Sequence, residues 1–116
     1  MAALLPVVLA LSFALSGFGE AEIRLERDGA TLLVQGLFHA TGDHALSYRL
    51  EAEKRGASGT STSRQGGTFD ARRGEEAVLS TVRLGVQPGD TVEVHLTIYE
   101  GDHPIAEAHT LELVAP

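Results

Sequence analysis

Thr91-Val92-Glu93-Val94-His95-Leu96-Thr97-Ile98-Tyr99-Glu100 alternates apolar and polar residues without a break. Val92, Val94, Leu96 and Ile98 share one side; Glu93, His95, Thr97 and Tyr99 share the other. A period of two marks a strand with one face in a core and one face in water. Turn residues bound it at both ends. Gln87-Pro88-Gly89-Asp90 precedes it, Pro presetting φ and Gly accepting positive φ, and Gly101-Asp102 follows it.

The same reading extends outward. Downstream, Ile105 to Val114 is a strand whose apolar parity changes between Ala106/Ala108 and Leu111/Leu113, which predicts a bulge. Upstream, Ala77 to Val86 is another. Leu46, Tyr48, Leu50 and Ala52 share one face of a strand over Ala45 to Glu53. Thr31 to His39 is apolar enough to be central, and Asp28-Gly29 predicts a tight hairpin to Glu22–Arg27. Gly56 to Gly59 reads as a turn into a thin polar strand, Thr60 to Gln65. Gly66-Gly67 to Glu76 reads as a loop with room for a short strand near Thr68-Phe69. About seven short strands with regular turns predict an all-β, immunoglobulin-like β-sandwich of antiparallel strands. The alternative architecture is a small open barrel.

The first residues belong to a different regime. Met1 to Leu15 is nearly all apolar and runs into Ser16-Gly17-Phe18-Gly19-Glu20-Ala21. That is the pattern of a secretory signal peptide, although no Lys or Arg precedes the apolar run. Gly19-x-Ala21 fits the small-x-small rule and places the cut after Ala21, with Gly19 and Ser16 as alternatives. The apolar run falls short of the roughly 20 residues of a spanning helix. Residues 1–21 are thus expected to be a leader and residues 22–116 a single domain, soluble in the periplasm and free of the membrane once cut. The chain holds no cysteine, so an apolar core must supply the stability that disulfides give many exported domains. A formal charge of −7 argues against a general nucleic-acid binder.

No residues form a pattern that carries catalysis. The five histidines are scattered, without HxH or HxxxH spacing, and read as surface residues; no metal and no cofactor is expected. Asp43-His44 and Asp102-His103 are neighbours on turns and lack a third group to orient a dyad. The constellation that stands out is Arg49, Lys54, Arg55 and Arg64, which pairing through the Gly56–Gly59 turn brings together beside the polar strand. Glu51 and Glu53 are placed to neutralise them. Arg72 and Arg73 are countered by Glu75 and Glu76.

The segment Arg55-Gly56-Ala57-Ser58-Gly59-Thr60-Ser61-Thr62-Ser63-Arg64-Gln65-Gly66 resembles the hallmark stretch of the CsgC/CsgH-type curli assembly inhibitors. The resemblance continues through Val78-Leu79-Ser80, Gln87-Pro88-Gly89-Asp90, Val92-x-Val94-x-Leu96-Thr97 and Ile105-Ala106. It implies an immunoglobulin-like fold and a periplasmic chaperone, not an enzyme. Its protein client would be the curli amyloid subunit, kept from polymerising before secretion. The Cys-x-Cys of the enterobacterial branch is absent, His44-Ala45-Leu46 standing about there, so the chain resembles the cysteine-free CsgH branch. The cationic residues Arg49, Lys54, Arg55 and Arg64 would then contact the client, and a monomer is expected. Two other readings stay open: a matrix- or carbohydrate-binding module, with Tyr99 as its exposed aromatic, and a fimbrial accessory subunit.

Overall fold

The computed structural model describes residues 17–116 and the short strand Leu11–Ala14. Most of the expected leader therefore lies outside the described residues. The strands are β1 (Leu11–Ala14), β2 (Gly19–Asp28), β3 (Thr31–Ala40), β4 (His44–Gly56), β5 (Gly59–Ala71), β6 (Glu76–Gly85), β7 (Thr91–Glu100) and β8 (His103–Leu113). They form two antiparallel sheets. One has the order β2-β3-β6, the other β1-β8-β7-β4-β5. The seven strands β2 to β8 make the expected β-sandwich.

Each assignment has a local cause. In β7 the four apolar positions are fully buried and occupy the middle of the larger sheet; each such side chain contributes about 1.5–3 kcal/mol relative to exposure. The apolar β3 is the central strand of the smaller sheet, as its composition predicts. Its Leu32, Val34 and Phe38 meet Ile23 and Leu25 of β2, Val82 and Leu84 of β6, and Leu50, Val94, Leu96 and Ile98 from the facing sheet in one core. Gly36 sits on the same inward side, where an added Cβ would come within 2.8 Å of Leu50 Cδ1. The absence of a side chain there lets the sheets approach.

Three expectations change. First, the loop expected over Gly66–Glu76 is mostly strand: β5 runs unbroken to Ala71 and pairs residue for residue with β4 from Gly56↔Gly59 to His44↔Ala71. Its residues are too polar and too small to show a period, so backbone pairing defines the strand instead. The two-residue connection Ala57-Ser58 keeps β5 beside β4 in one sheet. Second, the parity change in β8 is not a bulge. Thr110 is buried and Leu111 and Leu113 face outward, 61% and 65% exposed. The register does shift on this ladder, but earlier: Ile98 pairs with Ala106 and Tyr99 with Pro104, leaving Ile105 as the extra residue. Third, a shift the sequence did not announce leaves Leu79 as the extra residue of β6, between Leu37↔Val78 and Gly36↔Ser80.

The smaller sheet begins earlier than the expected domain boundary. Gly19 pairs with Ala40 and Ala21 with Phe38, and Ala21 is fully buried. Ahead of them, the Thr41 amide donates to the Phe18 carbonyl at 3.1 Å, and the Phe18 ring lies 4.5 Å from that of His44.

Candidate functional site

The β4–β5 hairpin presents two faces of opposite character. Side chains of a strand alternate, so Leu46, Leu50 and Ala52 enter the core while Arg49, Glu51, Glu53 and Arg55 stand on the outer face. From β5, Thr60, Thr62, Arg64 and Gly66 join that outer face, opposite Arg55, Glu53, Glu51 and Arg49 in turn. β5 ends the sheet, so among the described residues its far edge has no strand beside it. Twelve of its thirteen residues are partly or fully exposed. Ser, Thr, Gly and Arg keep that edge soluble without covering it.

The structure brings three of the four expected cations together and separates the fourth. Arg64 Nε lies 2.7 Å from Glu51 Oε2, and an Arg55 terminal nitrogen 2.7 Å from Glu53 Oε1. Both pairs are exposed and each is worth about 0–1 kcal/mol. Arg49 has no ion pair or hydrogen-bond partner among the described residues. Its neighbour on β5 is Gly66, whose missing side chain leaves the guanidinium open to solvent. Lys54 is the correction. It sits at an inward position of β4, and its Nζ donates to the Gly85 carbonyl of β6 at 2.9 Å. It ties the two sheets together instead of joining the outer cationic face. A second tie is the Ser80 hydroxyl donating to Gln65 Oε1. Tyr99, the aromatic noted for a binding module, is half-buried next to the Ile105 bulge.

Two histidine–carboxylate groups emerge that the sequence left scattered. On the outer face of the smaller sheet, Glu22 accepts from His39 Nε2 at 2.6 Å and from Arg24 at 3.3 Å; Glu76 lies 3.6 Å from His39 Nδ1 and 3.7 Å from Arg24. Burial pushes the Glu22 carboxyl up, but His39 and Arg24 outweigh it and hold the group below the usual carboxylate range. On the outer face of the larger sheet, Glu93 Oε2 lies 3.3 Å from His95 Nε2 and 3.0 Å from His109 Nε2. The two rings stack at 4.2 Å. Hydrogen bonds from His109 and then His95 lower the Glu93 pKa. Glu93-x-His95 on the cleanest strand was the visible half of this group. His109 needed the register His95↔His109, which no sequence spacing gives.

The family model described as CsgH protein matches residues 20–107, well over half of the chain. The chain belongs to the CsgH family. Its fold is similar to the solution structure of R. palustris CsgH: 29% identity, TM-score 0.62, covering 74% of this chain and 85% of that one. It is also similar to the E. coli curli protein CsgC at 16% identity and TM-score 0.68, covering 78% and 96%; at that identity the likeness concerns the fold alone. Among curated proteins none matches this CsgH family member in sequence.

Proposed function

We propose that this CsgH family member acts as a periplasmic chaperone that keeps the curli major subunit from polymerising too early. Membership of the family supports a role in curli biogenesis. The observation that carries the finer reading is the far edge of β5, open among the described residues and mostly polar, beside an outer face bearing Arg49, Arg55 and Arg64. Amyloid grows when strands add edge to edge. An open edge pairs with an incoming strand through the main chain, and a polar, charged one offers the next strand a poor template. Cations beside it raise the rate of encounter with an acidic, amide-rich client. Binding and holding, without catalysis, is the mechanism.

The test is fibril growth of purified curli subunit with and without this protein. Substoichiometric protein should lengthen the lag. The effect should weaken as salt rises, since exposed charges are screened beyond roughly 8 Å at physiological ionic strength. Arg49→Glu with Arg64→Glu should weaken it further, while stability changes within about 0.5 kcal/mol, as for most exposed sites. Thr62→Ala should inhibit as wild type does. A folded charge-reversed protein that inhibits as well as wild type at low salt defeats the electrostatic part. No inhibition by wild type at any salt defeats the chaperone reading.

Export would fit the same role, with a leader cut ahead of the domain. Phe18, Gly19 and Ala21 are built into the sandwich, so a cut after Ala21 would strip three residues from β2. Ala14-x-Ser16 satisfies the same small-x-small rule; a cut there leaves β2 whole and removes only β1, the short strand at the edge of the larger sheet beside β8. The intact mass of exported protein should correspond to a chain starting at Gly17. A mass starting at Glu22 would show that β2 forms without its first three residues.

A further inference from the structure

We propose that Glu93, His95 and His109 form a binding site for a late first-row divalent metal ion, Zn²⁺ being the probe of choice. The three side chains come from fixed positions on the adjoining strands β7 and β8. Glu93 and His95 are two residues apart on one face of β7, and His109 is the direct cross-strand partner of His95 on β8. Neither strand end nor loop is involved, so the backbone presents the donors in a set geometry.

Two of the three donor separations fit a common metal. Each residue offers one ligand atom, and the three atoms lie within 4.8 Å of one another. Donors bound at roughly 2.0–2.1 Å stand about 2.9 Å apart when cis in a square plane and about 3.4 Å apart in a tetrahedron. The Glu93–His109 and Glu93–His95 separations are 3.0 and 3.3 Å. An ion would take the place of the shared hydrogen bonds once the side chains turn their lone pairs towards it. Two imidazoles and a carboxylate suit zinc, nickel or copper over calcium or magnesium. His95 is exposed and Glu93 and His109 are half-buried, so the ion has access and keeps at least one position for water or another ligand. The remaining cross-strand neighbour of His95 is Glu51, which is turned to Arg64 at 2.7 Å.

The other cluster, Glu22, His39 and Glu76, is a poor rival. It has one histidine, whose two ring nitrogens face different carboxylates, and Arg24 already lies between both acids. A guanidinium occupies the place of the cation.

Chelator-stripped protein without a polyhistidine tag, titrated with ZnSO₄ by calorimetry, tests the site. We expect saturable uptake of about one equivalent, with ¹⁵N chemical-shift changes centred on Glu93, His95 and His109. Loss of a protein ligand should cost no less than loss of an outer-shell partner, so His95→Ala and His109→Ala should each weaken binding about tenfold or more. Glu93→Gln should weaken it too. His39→Ala should bind as wild type does. All are partly or fully exposed positions, and near-ultraviolet spectra will show that the variants fold. The proposal is overturned by the absence of saturation below about 1 mM zinc. Binding unchanged in a His95→Ala/His109→Ala double variant, or binding lost in His39→Ala alone, also overturns it.

Discussion

Replacing Phe38 by alanine should lower stability by about 3–5 kcal/mol, the usual cost of removing a buried aromatic side chain. Phe38 is fully buried on the central strand of the smaller sheet. Its ring meets Phe69 of β5 edge to face at 5.8 Å, and Phe69 in turn meets Tyr48 of β4 at 6.3 Å. The ring therefore links β3 to the hairpin that carries the candidate site. The cavity cannot easily collapse, because Phe38 is bounded by paired backbone on both sides, Ala21 on β2 and Ala77 on β6. For a small domain, stable by about 5–15 kcal/mol, that is a large share. Urea denaturation should show a much lower midpoint with a similar slope. A cost under about 1 kcal/mol would mean that the ring is not the link between the sheets described above. Any loss of fibril inhibition in this variant should follow the folded fraction, in contrast with the charge-reversed protein.

Gly56→Ala should be the second large loss, about 1–3 kcal/mol, from a single methyl group. An added Cβ would stand 1.7 Å from Asp90 Oδ1. Asp90 has no room to retreat: it is 2% exposed, and its other oxygen accepts from the Gln87 amide at 2.9 Å. Its backbone is held as well, the amide donating to Gln87 and the carbonyl accepting from Val114 at 2.8 Å. Moving the carboxylate breaks the bond from the Gln87 amide and leaves a buried acceptor unsatisfied, which itself costs about 1–3 kcal/mol. A double-mutant cycle isolates the cause. Asp90→Ala alone should destabilise, and adding Gly56→Ala to it should cost little more, since the clash is gone. Fully additive losses would place the damage in the hairpin turn instead. Gly85→Ala, where a Cβ meets nothing within 4 Å, serves as the control and should change stability within about 0.5 kcal/mol.

These sites show what could be read before the structure and what could not. Where burial is one-sided the sequence carries the strand plainly, and β7 has the bounds read from alternation, Thr91–Glu100. The apolar excess of Thr31–His39 likewise announced a central strand. β5 failed half-way because a strand exposed on both faces has no pattern to print. Its second half, Gly66–Ala71, is defined by pairing with β4. β8 misled in the opposite way: Leu111 and Leu113 suggested a core face, yet the core position between them and Ala108 is taken by Thr110. For the candidate site, the turn set Arg64 opposite Glu51 on the face shared by Arg49 and Arg55, and the balancing of Arg64 and Arg55 by Glu51 and Glu53 followed too. The side on which Lys54 falls was set by simple parity. Arg49 and Arg55 share a side with each other and not with it. The Glu93–His95–His109 group was hidden because two of its members are neighbours only through register between strands.

The featureless character of β5 has a consequence for how any extended chain would lie along it. At about 3.3 Å per residue its edge is about 40 Å long, more than twice the span of a common five-residue strand. A hydrophobic face fixes one alignment of two strands, because a one-residue slip turns every side chain over; a strand polar on both faces, as β5 is from Thr60 to Thr68, lacks that constraint. Gly66 and Gly67 at its middle remove even the steric landmarks. A client bound here by the proposed mode would have many nearly equivalent positions, sliding among them and never locked in one. Such a complex gains entropy from its own imprecision. It would hold a strand long enough to interrupt stacking, and give it up intact.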